Sequence, residues 1–112
     1  DSLANMGLII GALIKQGATN ILIPNSPDLG RTPNNNASLD AAVMAARTQA
    51  YNTGMAALIA QMESLFSIDL LTVDVFGFSG QVLNNPTTYG LNNVEDSCLG
   101  NAACTAGWLR NN

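Results

Sequence analysis

Serine, lysine, aspartate and cysteine are the residues of this chain with the chemistry of a reaction centre, and their spacing limits what they can do. Ser2 stands in the stretch DSLANMG. A serine hydroxyl is a weak nucleophile until a positioned base takes its proton. The sequence contains no histidine, so no Ser-His pair can form within it. Lys15 is the other base on offer, in a Ser-Lys arrangement. Both residues sit on one predicted helix, about 19 Å apart at 1.5 Å per residue, and that helix keeps them separate. Lys15 therefore reads as a solvated charge favoured by the C-terminal end of the helix dipole. Ser2 reads as a helix N-cap.

The carboxylates offer more. Asp28 lies in a loop just after the apolar run NILIP. In α/β sheets, ligands bind at the carboxyl ends of strands, which makes Pro24, Asn25, Ser26, Pro27 and Asp28 candidates for the rim of a substrate cleft. For Asp28 itself the favoured role is structural, accepting hydrogen bonds from its own loop amides and fixing the Pro27-Asp28-Leu29-Gly30 turn. Asp74 stands in an otherwise apolar run, where a carboxylate needs a buried partner. No spacing supports a glycosidase-type carboxylate pair. Asn52 reads as a structural hydrogen-bonding group near an apolar helix face, and Tyr89 and Trp108 as packing aromatics.

Cys98 and Cys104 occur in SCLGNAACTAG. Their spacing permits a small disulfide loop, and two free thiols are the alternative. The low-charge, Asn-rich setting favours the bridge and with it an oxidising compartment. Two thiols with no histidine leave a tetrahedral zinc site half empty, so no metal is expected.

These residues need elements to hold them. One hundred and twelve residues is a single-domain length, and 47% hydrophobic content is enough for a core. Only 11% of residues are charged, against about 25% in ordinary soluble domains. Lys15, Arg31, Arg47 and Arg110 are scattered and the net charge is −4, so no basic patch exists to bind nucleic acid. No apolar run reaches the roughly 20 residues that span a bilayer. MGLIIGALI is short and lacks a basic region before it, so it reads as a buried helix rather than a signal peptide.

Leu3, Met6, Ile10, Leu13 and Ile14 have helical spacing over residues 3–16, with Gly17 as the stop. NILIP is a short buried strand. After a loop rich in Pro and Asn, Ser38 caps a long helix over 39–66. Its predicted apolar seam begins at Val43, Ala46 and Ala50 and runs through Tyr51, Met55, Leu58, Met62 and Leu65. Gly54 is a site where this helix bends or another segment approaches. LLTVDVF is a second buried strand and GFSGQVLNN a short helix; beyond Pro86 the chain is irregular. The order helix–strand–long helix–strand–short helix predicts an α/β fold with parallel strands. Two strands are fewer than the five or six of an average sheet.

One segment adds a family resemblance. QGATNILIPNSPDLGRTP resembles the strand and Pro-Asn-x-Pro-Asp-Leu-Gly-x-x-Pro stretch of GDSL-type esterases and lipases, the SGNH-hydrolase superfamily. The bacterial secreted and autotransported lipases and phospholipases are its nearest branch. AYNTGMAALIAQM is similar to that branch's helix beginning with an aromatic-Asn pair. IDLLTVDVFGFSGQVLNNPTTYGLNNVEDSCL resembles its next strand and its Asn-Pro-x-x-Tyr-Gly region. The resemblance is collinear over roughly residues 8–98.

It implies a partial three-layer α/β/α fold of flavodoxin-like type, with residues 1–112 as one incomplete domain. In the family, the nucleophile comes from a Gly-Asp-Ser-Leu block and the oxyanion hole from a glycine and a Gly-x-Asn-Asp block. The base comes from an Asp-x-x-His block. None of these blocks occurs here, and the resemblance implies that residues 1–112 fall between the last two. Ser2 is then not the family's serine, since the family separates that block from the strand matching NILIP by a hundred or more residues. The residues of Pro24–Asp28 would rim the ester cleft of the complete enzyme. The implied substrate is an ester or lipid and no cofactor is implied; the location is extracellular, periplasmic or at the bacterial cell surface. The chain would need the rest of its domain, or another chain, to cover its sheet. Alone it is expected to be inactive and to aggregate, dimerise or stay loosely packed. The competing expectation is a noncatalytic α/β interaction module or a partner-dependent structural chain.

Overall fold

Helix α1 (Ser2–Lys15) is capped by Asp1, whose carboxylate accepts the Leu3 N–H at 3.0 Å. The cap expected at Ser2 therefore sits one residue earlier, where an acidic side chain also suits the positive end of the helix dipole. Gly17 ends the helix as the sequence predicts. Its N–H reaches the Ile14 carbonyl at 2.9 Å and its φ is 96°, the left-handed conformation open to glycine. The computed structural model, which describes residues 1–109, continues with β1 (Leu22–Pro24), α2 (Ala41–Phe66), β2 (Leu71–Val73) and α3 (Val75–Asn84). Short 3₁₀ turns occupy Leu29–Arg31 and Pro86–Tyr89. Among the described residues, three helices and a two-stranded parallel sheet make this a mixed α/β structure. Arg110 lies outside the described residues.

The predicted order of elements holds, while their lengths differ. Each strand is three residues long, paired in the register Leu22↔Leu71, Ile23↔Thr72 and Pro24↔Val73. The apolar run LLTVDVF is shared between β2 and the first residues of α3, because an apolar stretch alone does not distinguish a buried strand from a buried helix turn. α2 begins at Ala41, two residues after the predicted start; the Ser38 carbonyl accepts the Ala41 N–H at 3.2 Å in a turn before it.

The chain forms two compact units. The first comprises Asp1–Asn25 and Ala50–Asp74. Its core is Ile10, Ile23, Met55 and Leu70, flanked by Leu3, Met6, Ile14, Tyr51, Leu58 and Met62. Ile10 retains 1% exposure. The helices approach at small residues. A Cβ built at Gly7 would lie 3.3 Å from side-chain atoms of both Leu58 and Met62, and one at Gly11 would lie 3.9 Å from Phe66. At Gly54 it would run into Leu3. These pairs climb both helices in the same direction, so α1 and this part of α2 run parallel. The predicted seam of α2 is thus correct from Tyr51 to Met62, whereas Val43 and Leu65 are exposed. On the sheet, Ile23 faces the core. Leu22, Leu71 and Val73, on the opposite face, are 60%, 55% and 41% exposed.

The second unit comprises Ser26–Gln49 and the chain from Val75 onward. The 3₁₀ turn at Leu29–Arg31 packs against the first turns of α2 so closely that a Cβ on Gly30 would collide with the Ala41 carbonyl oxygen and lie 3.0 Å from the Ala45 nitrogen. The Thr48 hydroxyl, buried, donates to the Met44 carbonyl at 2.9 Å and accepts the Leu29 N–H at 3.4 Å. Farther along, Phe78 and Tyr89 meet edge to face with centroids 5.8 Å apart.

Gly30 and Gly54 respond differently to alanine. Gly30→Ala drives a methyl into backbone and is expected to lower stability by about 1–3 kcal/mol. Gly54→Ala meets the end of a flexible leucine and gains helix propensity of about 1 kcal/mol, leaving stability within about 1 kcal/mol of the parent. Urea unfolding midpoints check both; equal losses would contradict the close packing at Gly30.

Candidate functional site

Pro24 closes β1, and its ring nitrogen cannot donate to a ladder. The next residue resumes pairing, with the Asn25 N–H donating to the Val73 carbonyl at 3.1 Å. Its side chain then donates from Nδ2 to Asp74 Oδ1 at 2.9 Å. Both strands of the parallel pair thus end in polar residues tied to each other, within the first unit. Asp74 is exposed and follows β2 rather than standing inside it. The buried partner expected for it is therefore a partner at the surface. Beside this pair, a groove of 320 Å³ runs between α2 and the sheet, lined on its polar side by Asn25, Asn52, Glu63, Thr72 and Asp74. Glu63 is engaged there, Oε1 accepting the Leu70 N–H at 2.9 Å. Sequence reading missed Glu63 and Thr72, which carry no local signal beyond polar residues beside apolar ones.

Within the second unit, Ser26 donates from Oγ to the Pro27 carbonyl at 3.1 Å. Asp28 caps the 3₁₀ turn, with Oδ1 accepting the Gly30 N–H at 2.9 Å and the Asp28 carbonyl accepting the Arg31 N–H at 3.1 Å. This is the structural role favoured for it from sequence. Thr32, buried, donates to the Leu29 carbonyl at 3.1 Å, and Asn35 Nδ2 reaches both that carbonyl and the Thr32 hydroxyl. The turn is consequently fixed by its own side chains. Arg31 extends from it to α3 and donates from Nη2 to Asn84 Oδ1 at 2.8 Å.

A second groove, of 290 Å³, lies between this turn and α3. Its apolar wall includes Val75, Phe78, Val82 and Leu83, spaced as one helix face. Sequence reading missed this face, because it placed Val75 in the strand run LLTVDVF, although the helical spacing was there to find it. Ser2 and Lys15 occupy opposite ends of α1, so no nucleophile–base contact arises between them. Cys98 and Cys104 form a disulfide, with Cα atoms 5.2 Å apart. The bridge closes over turns in which Asn101 donates to the Cys98 carbonyl and Cys104 to the Asn101 carbonyl, with Gly100 at φ 70°. Among the described residues no helix is long and apolar enough to cross a membrane.

The chain matches no family model and no curated protein.

Removing the acceptor at position 28 tests the turn. Asp28→Ala is expected to lose about 0.5–2 kcal/mol and Asp28→Asn less, because asparagine also caps. Faster hydrogen exchange at the Gly30 amide in the alanine variant alone is the local signature; equal losses would assign the effect to charge. Reduction of the disulfide, a ring with a sequence separation of 6, should cost about 2 kcal/mol by loop entropy, read as a shift of the unfolding midpoint with dithiothreitol.

Proposed function

We propose that these residues are a segment of a secreted GDSL-type carboxylic-ester hydrolase, a lipase, esterase or phospholipase. They supply part of its α/β framework and, through Pro24–Asp28, part of the rim of its ester cleft. The complete enzyme works by a Ser-His mechanism. Nucleophile, base and oxyanion groups come from outside residues 1–112.

The observation that carries this reading is the collinear order of PNSPDLGRTP and NNPTTYGLNN around an aromatic-Asn helix. Local geometry supports it by explaining why these motifs need the residues they have. In the first, Asp28 caps and Gly30 leaves room for the Ala41 carbonyl oxygen. In the second, Pro86 opens a 3₁₀ turn and Gly90 closes it at φ 74°, which favours glycine. A parallel strand pair with a helical crossover also agrees with a doubly wound sheet, as does its uncovered apolar face, since such sheets are covered on both sides. The disulfide agrees with an extracellular, periplasmic or cell-surface location.

A noncatalytic α/β interaction module is the second reading, since the absence of histidine leaves residues 1–112 with no Ser-His pair of their own. The two are separated by the coding frame around this segment. Under the hydrolase reading it encodes Gly-Asp-Ser-Leu upstream and Asp-x-x-His downstream, and a frame without them removes that reading. Residues 1–112 alone are expected to give no turnover of a p-nitrophenyl ester above the buffer rate. Turnover abolished by Ser2→Ala would show that Ser2 is a nucleophile after all.

A further inference from the structure

We propose that the Cys98–Cys104 disulfide is a redox latch on residues 92–109, holding them as one closed loop when oxidised and loosening both arms of that loop when reduced. Such a latch operates under either functional reading, because the loop's own bonds form it.

The two arms meet at their base. The Asn92 and Asn93 N–H groups donate to the Gly107 carbonyl at 2.8 and 3.4 Å, and the Asn93 carbonyl accepts the Leu109 N–H at 2.8 Å, which pairs Asn93 with Trp108. The fit is close: a Cβ on Gly107 would stand 2.7 Å from side-chain atoms of Asn92. Farther out, the disulfide joins the same two arms a second time. The first arm is also tied outward, with Asn36 Nδ2 donating to the Glu95 carbonyl at 2.9 Å. The second arm ends at Leu109, which lines the groove beside α3.

Burial does not hold this loop. None of residues 92–109 is buried, and Leu99 is 76% exposed. Its order rests on hydrogen bonds for which water competes, and segments of that kind open at the low end of a protein's stability. The disulfide opposes opening by denying the opened loop the freedom that the residues between the cysteines would gain. Those residues, Leu99, Gly100, Asn101, Ala102 and Ala103, are all exposed, so the ring faces solvent and a dissolved thiol.

The co-reactant is a dithiol. Its thiolate attacks one cysteine sulfur, the S–S bond breaks, and the other sulfur leaves as a thiolate that takes up a proton. The second thiol of the reductant then displaces the first cysteine from the mixed disulfide. Two electrons pass to the protein, which ends with two thiols, and the dithiol ends as a disulfide. Oxidation reverses the sequence, so the redox state of the compartment sets the loop.

The test is amide hydrogen exchange on the 112-residue chain, oxidised, reduced with dithiothreitol, and reoxidised. On reduction, the ring amides of Asn101 and Cys104 should exchange about thirtyfold faster, the loop entropy of a ring with sequence separation 6. The base amides of Asn92 and Leu109 should speed up by the same factor, and reoxidation should restore all four. Their exchange should depend little on urea, as a local opening does, whereas the sheet amide of Leu71, bonded to the Ile21 carbonyl, should follow urea steeply. The double variant Cys98→Ser/Cys104→Ser should show the fast rates without reductant. If it does not fold, judged by circular dichroism, recovery of the native chain on reoxidation decides. Faster exchange in the ring with the base unchanged overturns the latch, as does a urea dependence at the base equal to that of Leu71, or a folded double variant with the oxidised chain's rates.

Discussion

Ile23 is the one side chain of the sheet buried in the core, and the parallel pairing of β1 with β2 depends on it. Three registered residue pairs provide too few hydrogen bonds to hold two strands together in water. Parallel strands also need a long crossover between them. Here that crossover includes α2, which supplies Met55 beside Ile23 while α1 supplies Ile10. A slip of one residue would turn Ile23 outward and bring Leu22 or Pro24 into its place, exchanging every side chain between faces. Register in turn fixes where the strands end, and so places Asn25 within reach of Asp74.

The loops of the second unit are held differently. Threonine and asparagine side chains bind backbone there as well as one another. Thr32 and Asn35 gather on the Leu29 carbonyl, Asn36 donates to the Glu95 carbonyl, and Asn93 accepts the Glu95 and Asp96 amides. Such local bonds are what makes these residue types favour turns. They give the low-charge, Asn-rich composition a mechanical explanation that is independent of cellular compartment. Among the described residues, no buried side-chain nitrogen or oxygen lacks a hydrogen-bond partner.

What could be read from sequence follows the range of the forces involved. Gly17, Asp28 and the cystine spacing act within a few residues, and the sequence favours the roles they take without excluding others. The middle of α2 was legible because Tyr51, Met55, Leu58 and Met62 repeat at helical period. Its ends were not: Val43 and Leu65 fit the same period, yet nothing packs over them sufficiently to bury them. Strand lengths escaped for a related reason, since Val75 and Phe76 are as apolar as the strand before them while belonging to α3. The Asn25–Asp74 bond spans 49 positions and has no sequence signature. Leu13, at helical spacing with the core residues of α1, is 45% exposed, because the stripe that α2 covers is centred on Gly7 and Gly11.

The turn at Gly30 has a genetic consequence. Every missense change reachable by one base from a glycine codon introduces a side chain with a Cβ, and at this position the atom would occupy the space of a main-chain oxygen. The neighbouring segment cannot yield by rotating a bond, as a leucine can at Gly54. Position 30 is therefore closed to drift by the shape of the backbone, whichever function the chain serves.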